Sequence, residues 1–486
     1  MSENTYWVTR FLFQRSLGVI YLVGFLIIWN QFIPLCGAHG ITPTRLFLKR
    51  VEFWDAPSLF WWKSSDSVLK AAAAGGLVLS ALAVAGLTDA FSSWISALSW
   101  FVLWVLYSSF VNVGGTFYGF GWEIMLGEVG FLAIFLGSMR STPSVITMWL
   151  LRWVLFRLMF GAGLIKIRGD ECWRDLTCMK YHYETQPLPG PLSWYFHYFP
   201  MGVHKFEVLF THFVELIVPF FYFGTRPFRQ TAGAITILFQ LTLIASGNLS
   251  WLNCITIVVA IACFDDSAFT WLAPVLPNFA LAPATVAAIP MFAIYAFTAV
   301  VGLLSIQPVM NLLSSRQAMN LSFDPFHLVN TYGAFGSITR ERNEIILEGT
   351  RDAVITPETK WVEYAFKGKP GDPARRPPQV TPYHYKLDWQ MWFAAMSDYT
   401  YHPWILNLVA KLLAGDPATL SLIGPNPFPD GPPRYIRAEL YEYKYTKPGA
   451  RGGKWWDRKR LGPYLPPLSL EDPRFIAILE SQGWRE

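Results

Sequence analysis

Two cysteines and two histidines lie close together in the polar segment 168–203, which we call the cysteine loop. Five residues separate Cys172 from Cys178, and His182 and His197 follow. These residue types could form a disulfide, bind a metal ion or carry out dithiol redox chemistry. The two-residue spacing of thioredoxin-type sites and the familiar spacings of zinc knuckles are both absent. A disulfide between Cys172 and Cys178 is therefore favoured if the loop faces an oxidising compartment.

The cysteine loop is richer in polar and aromatic side chains than a simple connection between two helices needs to be. The charged groups of Arg174 and Asp175 could pair with each other or with the next helix end, and the prolines from 187 to 191 predict a rigid extended turn. The alternative is an ordered interfacial loop that binds no partner. The candidate functional residues of the loop are Cys172, Trp173, Arg174, Asp175, Cys178, His182, Glu184, Gln186 and Trp194.

A second set of ionisable residues falls within apolar segments. A charge at the centre of a bilayer costs about 2.5–3.5 kcal/mol on insertion scales, so such groups pair or face a cavity. One interpretation is structural pairing of a glutamate with an arginine of a neighbouring helix; the other is a polar cavity that handles protons or holds a metal. A metal needs several convergent ligands, so we predict neither a metal nor a cofactor. The candidates are Glu123, Glu128, Arg152, Arg157, His212 and Glu215.

These side chains must be positioned by membrane helices. Of the 486 residues, 53% are hydrophobic and 15% are charged, whereas soluble domains contain about 25% charged residues. About 20 apolar residues cross the hydrocarbon core, which predicts eight or nine transmembrane helices. The candidate spans are 16–34, 70–88, 91–111, 120–138, 145–167, 204–224, 230–247, 250–264, which is short and could be re-entrant, and 285–306.

The apolar runs divide the chain into a transmembrane helical domain, 1–307, and an extramembrane domain, 308–486. The first run is too long for a cleavable signal peptide and would act as a signal anchor. The arginines and lysines of the loops do not decide the orientation in the membrane. The net charge of +5 without a Lys/Arg block argues against nucleic acid as a partner.

The extramembrane part is predicted to be an α+β domain with a small antiparallel sheet. Alternating patterns predict strands at 344–350, 360–367 and 434–446, and an amphipathic pattern predicts a helix over 403–415. The aromatic stretch 387–396 either forms the core of this domain or docks it on a membrane or a partner. Its candidate partner-binding residues are Asp388, Trp389, Gln390 and Trp392.

Several long strings resemble one known family. The string CWRDLTCMKYHYETQPLPGPLSWYFHYFP from Cys172, with 161–169, 330–350 and 387–395, resembles the lipase maturation factor family from about residue 110 to the end. The resemblance implies an integral protein of the endoplasmic reticulum membrane that helps secreted dimeric lipases, lipoprotein lipase among them, become folded and active. It also implies that the cysteine loop and the C-terminal domain face the lumen. In a bacterial member the cytoplasmic membrane would take the place of the reticulum.

The leading hypothesis is a maturation factor without enzymatic activity that binds incompletely folded lipase-like client protein. Exposed aromatic residues, Trp173, Trp194, Trp389 and Trp392, would contact the client. The membrane half also resembles, more weakly, the membrane domain of vitamin K-dependent carboxylase relatives. This resemblance implies an enzyme acting on a lipid or quinone-like substrate, with His182, Glu184, His212 and Glu215 lining one cavity.

Overall fold

Among the residues that the computed structural model describes, seven helices are long and apolar enough to cross a membrane. The structure describes residues 5–272, 274, 288–449 and 452–485. An eighth span is present if the helices Leu252–Cys263 and Asp266–Leu272, which meet at a bend of 108°, form one broken or re-entrant crossing. The seven helices are Trp7–Cys36, Asp66–Ala85, Ser93–Val113, Val145–Arg168, Met201–Phe223, Arg226–Ser246 and Met291–Leu313.

The chain is therefore a polytopic helical membrane protein, and the predicted number of spans was close. The difference lies in the predicted span 120–138, which forms a helix of only 13 residues, Gly121–Ala133. A helix of this length is too short to cross the hydrocarbon core alone. Apart from Phe131, its residues are buried in the bundle. The predicted span 285–306 begins outside the described residues, and the described helix starts at Met291.

The two ends of the helical bundle carry different parts of the chain. At one end, the carboxylate of Asp266 accepts hydrogen bonds from the backbone of Trp7 and Val8. At the other end, the Gln31 side chain donates to the carbonyl of His384 in the C-terminal region over 2.7 Å. The cysteine loop lies at this second end, because its strand Leu188–Pro189 pairs with Gly247–Asn248 after the helix Arg226–Ser246. The N-terminus and the C-terminal region therefore lie on opposite sides of the bundle.

The C-terminal region contains a four-stranded antiparallel sheet. The strands lie in the order Val362–Glu363, Arg342–Thr350, Tyr435–Tyr445 and Trp456–Leu468. The predicted strands at 344–350 and 434–446 are confirmed, whereas the one predicted at 360–367 is reduced to two residues. The pattern missed the strand Trp456–Leu468, which contains three prolines; proline is tolerated there because the strand forms an edge of the sheet.

The helices of this region lie between the strands and at the C-terminus. The helix predicted over 403–415 is confirmed as Trp404–Leu413, and Gly415 follows it with a φ of 65°. The remaining helices are Lys386–Ala394, the 3-10 turn Tyr399–Tyr401, Pro417–Leu420 and Pro473–Ser481.

Aromatic rings join the C-terminal region to the bundle. Trp389 packs on Trp122 and Phe120, with ring centroids 5.0 and 5.8 Å apart. His384 packs against Trp122 and Trp251 at 5.3 and 6.1 Å. Buried residues of both halves form one continuous apolar core. The stretch 387–396 thus docks the C-terminal region on the helices of the same chain.

Candidate functional site

The cysteine loop is closed by a disulfide between Cys172 and Cys178, whose Cα atoms are 4.7 Å apart. The turn before it is capped by Asp170, whose carboxylate accepts from the backbone N–H of Cys172 and pairs with Arg340 at 2.7 Å. The hydrogen bonds from Arg340 hold the pKa of Asp170 down to about 2. The disulfide and this ion pair fix where the loop leaves the helix Val145–Arg168.

Within the bridged turn, the charged residues do not pair with each other. Arg174 donates to the carbonyls of Ile167 and Gly169 at the end of the preceding helix, so neither of the two predicted pairings, with Asp175 or with the next helix end, is found for it. Asp175 is exposed. Three short helices, Glu171–Arg174, Met179–Thr185 and Ser193–His197, complete the loop.

One arginine of the C-terminal sheet binds the backbone of the cysteine loop. The guanidinium of Arg342, fully buried, donates to the backbone carbonyls of Glu184, Gln186 and Pro187 at 3.0, 2.5 and 3.0 Å. Its charge is balanced by Glu344, which it contacts at 2.6 Å. Because each buried carbonyl needs a donor, Arg342 determines the path of the loop.

Other predicted loop residues also make structural contacts. The Glu184 carboxylate accepts from the backbone N–H of Tyr445, and burial raises its pKa. The Gln186 amide donates to the Ser246 carbonyl and to the Ser193 hydroxyl. The Trp194 indole donates to the Thr446 carbonyl over 2.9 Å.

The intramembrane polar residues form separate pairs. Glu128 and Arg157 form a buried ion pair, so the structural-pairing interpretation holds for these two. Glu128 also accepts from the Asn330 backbone and the Tyr332 hydroxyl. These contacts attach the segment after the last span to the bundle.

Arg152 and Glu123 find partners that the sequence did not suggest. The Arg152 guanidinium donates to the carbonyl of Ala262 and the hydroxyl of Tyr6 rather than to a glutamate. Glu123 pairs with Lys386 of the C-terminal region at 2.7 Å and accepts from the Tyr107 hydroxyl. The remote charges of 123 and 386 therefore compensate each other in the core.

Glu215 and His212 lie in the helix that packs next to the disulfide-bridged turn. Both oxygens of Glu215 accept from the Lys166 ammonium at 2.6 and 2.7 Å. The Nε2 atom of His212 lies 3.0 Å from the carbonyl of Trp173. The Trp173 ring packs between this histidine and Lys166, at 6.1 Å and 5.4 Å. The group is a packed support for the bridged turn.

The expectation that four tryptophans are exposed is wrong for Trp173 and Trp389. Trp173 and Trp389 are only 3% and 4% exposed. Trp194 and Trp392 are half-buried, and the Trp392 indole donates to the Thr185 carbonyl. Tryptophan burial against neighbouring elements removes the largest apolar areas from water, which is why these rings join parts of the fold.

The other predicted partner-binding residues are also buried. The carboxylate of Asp388 accepts from the backbone N–H groups of Gly368 and Lys369, and the Gln390 amide donates to the carbonyl of Thr116. These residues hold the helix Lys386–Ala394 between the sheet and the bundle.

A cavity of about 840 Å³ lies where the cysteine loop, the bundle and the C-terminal region meet. Its wall is mostly apolar, with Leu158 and Ile165 from a membrane helix and Trp389, Trp392 and Phe393 from the docked helix. His182 and Gln186 contribute from the cysteine loop. Residues predicted separately as loop and partner-binding candidates thus share one cavity.

The enzyme alternative required four side chains, those of His182, Glu184, His212 and Glu215, to line one cavity. The structure does not bring these four together. His182 lines the cavity, whereas Glu184, His212 and Glu215 are engaged with the sheet, the bridged turn and Lys166. Within the described part of the chain, no group of three or more His, Cys, Asp or Glu residues could hold a metal ion. The buried imidazole of His182 has its pKa lowered by burial to about 4 and is neutral at pH 7.

Four basic residues that hold the site together were not predicted from the sequence: Lys166, Arg340, Arg342 and Lys386. Lys166 and Lys386 lie within apolar or aromatic runs, whereas Arg340 and Arg342 belong to the charged stretch 340–344. For the two lysines the apolar surroundings are a signal in the sequence, since a buried charge requires a partner.

Fold and site together define a polytopic membrane protein with a docked extramembrane α+β region and a disulfide-closed loop at the junction. Residues 8–271 match the model of the lipase maturation factor transmembrane domain, and 328–466 match that of the lipase maturation factor C-terminal domain. The chain belongs to the lipase maturation factor family.

Its similarity to members of the family extends over the whole chain. It is 47% identical to lipase maturation factor 1 of Bos taurus, covering 100% of this chain and 92% of the relative. It is 44% identical to the Homo sapiens protein of the same name, covering 100% and 91%. Lipase maturation factor 2 of Mus musculus is 29% identical, covering 99% and 86%. No solved structure matches the chain.

Proposed function

We propose that this protein is a membrane-bound maturation factor that helps secreted lipases reach their folded, active state. The observation that carries the proposal is the 47% identity over the full chain to a protein named for lipase maturation. We further propose that it acts from the lumen of the endoplasmic reticulum, or from the extracytoplasmic face in a bacterial host. The disulfide lies on the same side of the bundle as the C-terminal region. It supports a luminal or extracytoplasmic location of that region, because disulfides persist in oxidising compartments.

The proposed client-facing surface is an aromatic patch on the side of the cysteine loop. Phe53 and Trp54 pack together with ring centroids 5.3 Å apart, and Trp54 contacts Phe326 at 6.3 Å. These three rings are 41%, 65% and 37% exposed. Exposed aromatic clusters are the surfaces that bind apolar segments of partner proteins. Residues 1–307 would anchor the protein, and 308–486 would hold this patch and the cysteine loop in place.

Co-expression with a secreted lipase tests the proposal. In cells without an endogenous maturation factor, the chain should raise the secreted lipase activity per mass of lipase. Equal activity with the chain and with an empty vector would contradict the proposed function.

A pair of variants tests the surface. Trp54→Ser should lower lipase activity several-fold, because a ring at the centre of an interface carries much of its affinity. Trp271→Ser is the matched control: Trp271 is 72% exposed and lies in the helix Asp266–Leu272, at the opposite end of the bundle. Equal losses in both variants would mean that the patch is not the client surface.

A further inference from the structure

We propose that the cavity between the bundle and the C-terminal region binds an uncharged lipid of the acylglycerol type. The cavity volume of about 840 Å³ lies in the range of small-molecule sites, about 300–1,000 Å³. The proposal does not rest on the client role, because the cavity is separate from the aromatic patch.

The cavity extends from the surface of the C-terminal region towards the middle of a membrane helix. Leu158 in its wall lies ten residues before the end of the helix Val145–Arg168. At 1.5 Å per residue this is a depth of about 15 Å, roughly half of a hydrocarbon core of about 30 Å. Met319 and Met396, also in the wall, are 46% and 45% exposed, so the cavity reaches the surface. An acyl chain that enters past Met319 and Met396 can extend to this depth.

The wall favours a ligand without charge. None of the described residues that line the cavity is Asp, Glu, Lys or Arg, and burial lowers the pKa of both lining histidines, His182 and His402. Lys166, whose charge contributes to the low pKa of His182, is paired with Glu215 and does not line the cavity. A fatty-acid carboxylate would therefore be desolvated without a counter-ion, which is strongly unfavourable.

The polar groups of the wall suit a small head group rather than a peptide. Gln186, Gln390 and Thr185 already donate to carbonyls within the chain. A peptide segment brings a backbone donor and acceptor with every residue, each of which needs a partner, and these three side chains are already engaged. An acyl chain brings none.

His182 is a buried polar side chain in the wall that is left for a head group. His182 is 7% exposed, its Nδ1 atom is buried without a partner, and its ring makes no hydrogen bond with any residue that the structure describes. Its ring is held edge-on against Phe335, with centroids 5.1 Å apart. A neutral imidazole offers one donor and one acceptor, which match a hydroxyl or an ester oxygen. A buried polar group of this kind is expected to have a partner.

Photolabelling of the full-length protein in detergent micelles tests the site. The probe is a long-chain monoacylglycerol that carries a diazirine in its acyl chain. We expect label on peptides that contain Met319 or Trp392, and competition by unlabelled monoacylglycerol but not by the corresponding fatty acid. Stronger competition by the fatty acid or by an apolar peptide would overturn the assignment of the ligand, and label spread over the outer faces of the helices would overturn the site.

Two variants and a control make the test specific. Met396→Trp fills the opening at an exposed position and should abolish most of the labelling; Met201→Trp, at a methionine that is 39% exposed outside the cavity, should leave it unchanged. His182→Phe should weaken labelling about two- to tenfold, the value of one hydrogen bond. The intact disulfide reports folding of each variant. Labelling of the folded Met396→Trp protein at the wild-type level would exclude this cavity, whatever the result of the lipase assay.

Discussion

Lys386 donates to Glu123 over 2.7 Å at a point where both side chains are fully buried. Lys386 begins the docked helix of the C-terminal region, and Glu123 lies in the short helix Gly121–Ala133. The Lys386 ammonium also lies 3.7 Å from the ring centroid of Tyr118. Burial lowers the pKa of Lys386, and the Glu123 carboxylate opposes this shift. The pair joins the membrane half to the extramembrane half.

Loss of one member of this pair should cost more than loss of both charges. Lys386→Met leaves Glu123 buried without its cation, and breaking such a pair costs about 3–5 kcal/mol. Adding Glu123→Gln should restore part of that loss. Denaturant titrations of the wild type, both single variants and the double variant measure the coupling. Lys360→Met, at an exposed lysine, is the control and should change stability by about 0.5 kcal/mol or less.

The disulfide predicts a definite number of reactive thiols. The denatured protein should take up a thiol reagent at three cysteines before reduction, Cys36, Cys254 and Cys263, and at all five after reduction. Five labelled cysteines without reductant would contradict the bridge. Cys172→Ser should lower the free energy of unfolding by about 2 kcal/mol, the loop-closure value for so short a loop. Cys254→Ser, at a free cysteine, is the matched variant and should change it less.

Acid should destabilise the fold through His182. Its pKa is about 4 in the folded protein, against 6.5 for an unperturbed histidine in the unfolded chain. Between these values the unfolded chain binds a proton that the folded chain excludes, so stability falls as the pH decreases from 6.5 to 4. In His182→Phe the slope of unfolding free energy against pH should be smaller by up to about 1.4 kcal/mol per pH unit in this window. The slope above pH 6.5 should be unchanged, and a difference confined to that range would contradict the assignment.

Glycosylation of designed sites tests the proposed orientation. Val354→Asn creates the acceptor Asn-Ile-Thr in a loop where residue 354 is 70% exposed. Ala90→Asn creates Asn-Phe-Ser at the opposite end of the bundle. In a eukaryotic host we expect a mass shift relative to the wild type, reversible by glycosidase, for the first variant and none relative to the wild type for the second. The opposite pattern would place the C-terminal region in the cytosol.

The sequence by itself determined the local features of this protein. Long apolar runs predicted the membrane helices, the alternation at 344–350 and 434–446 predicted two strands, and the spacing of Cys172 and Cys178 favoured the bridge. These features follow from short-range periodicity or from residues near each other in the chain. The strings around Cys172 also indicated the family, since they are long and unusual.

Only the tertiary structure decided which distant residues meet. Arg342 holds the loop at Glu184, Gln186 and Pro187, and Lys386 neutralises Glu123 across 263 positions of sequence. Trp173 and Trp389, predicted as exposed, are interior contacts, and His182 lines a cavity together with the docked helix. The residue that pairs with a buried charge or packs on a buried ring is determined by the packing of helices and sheet, which brings distant parts of the chain together. A local sequence pattern does not contain this information.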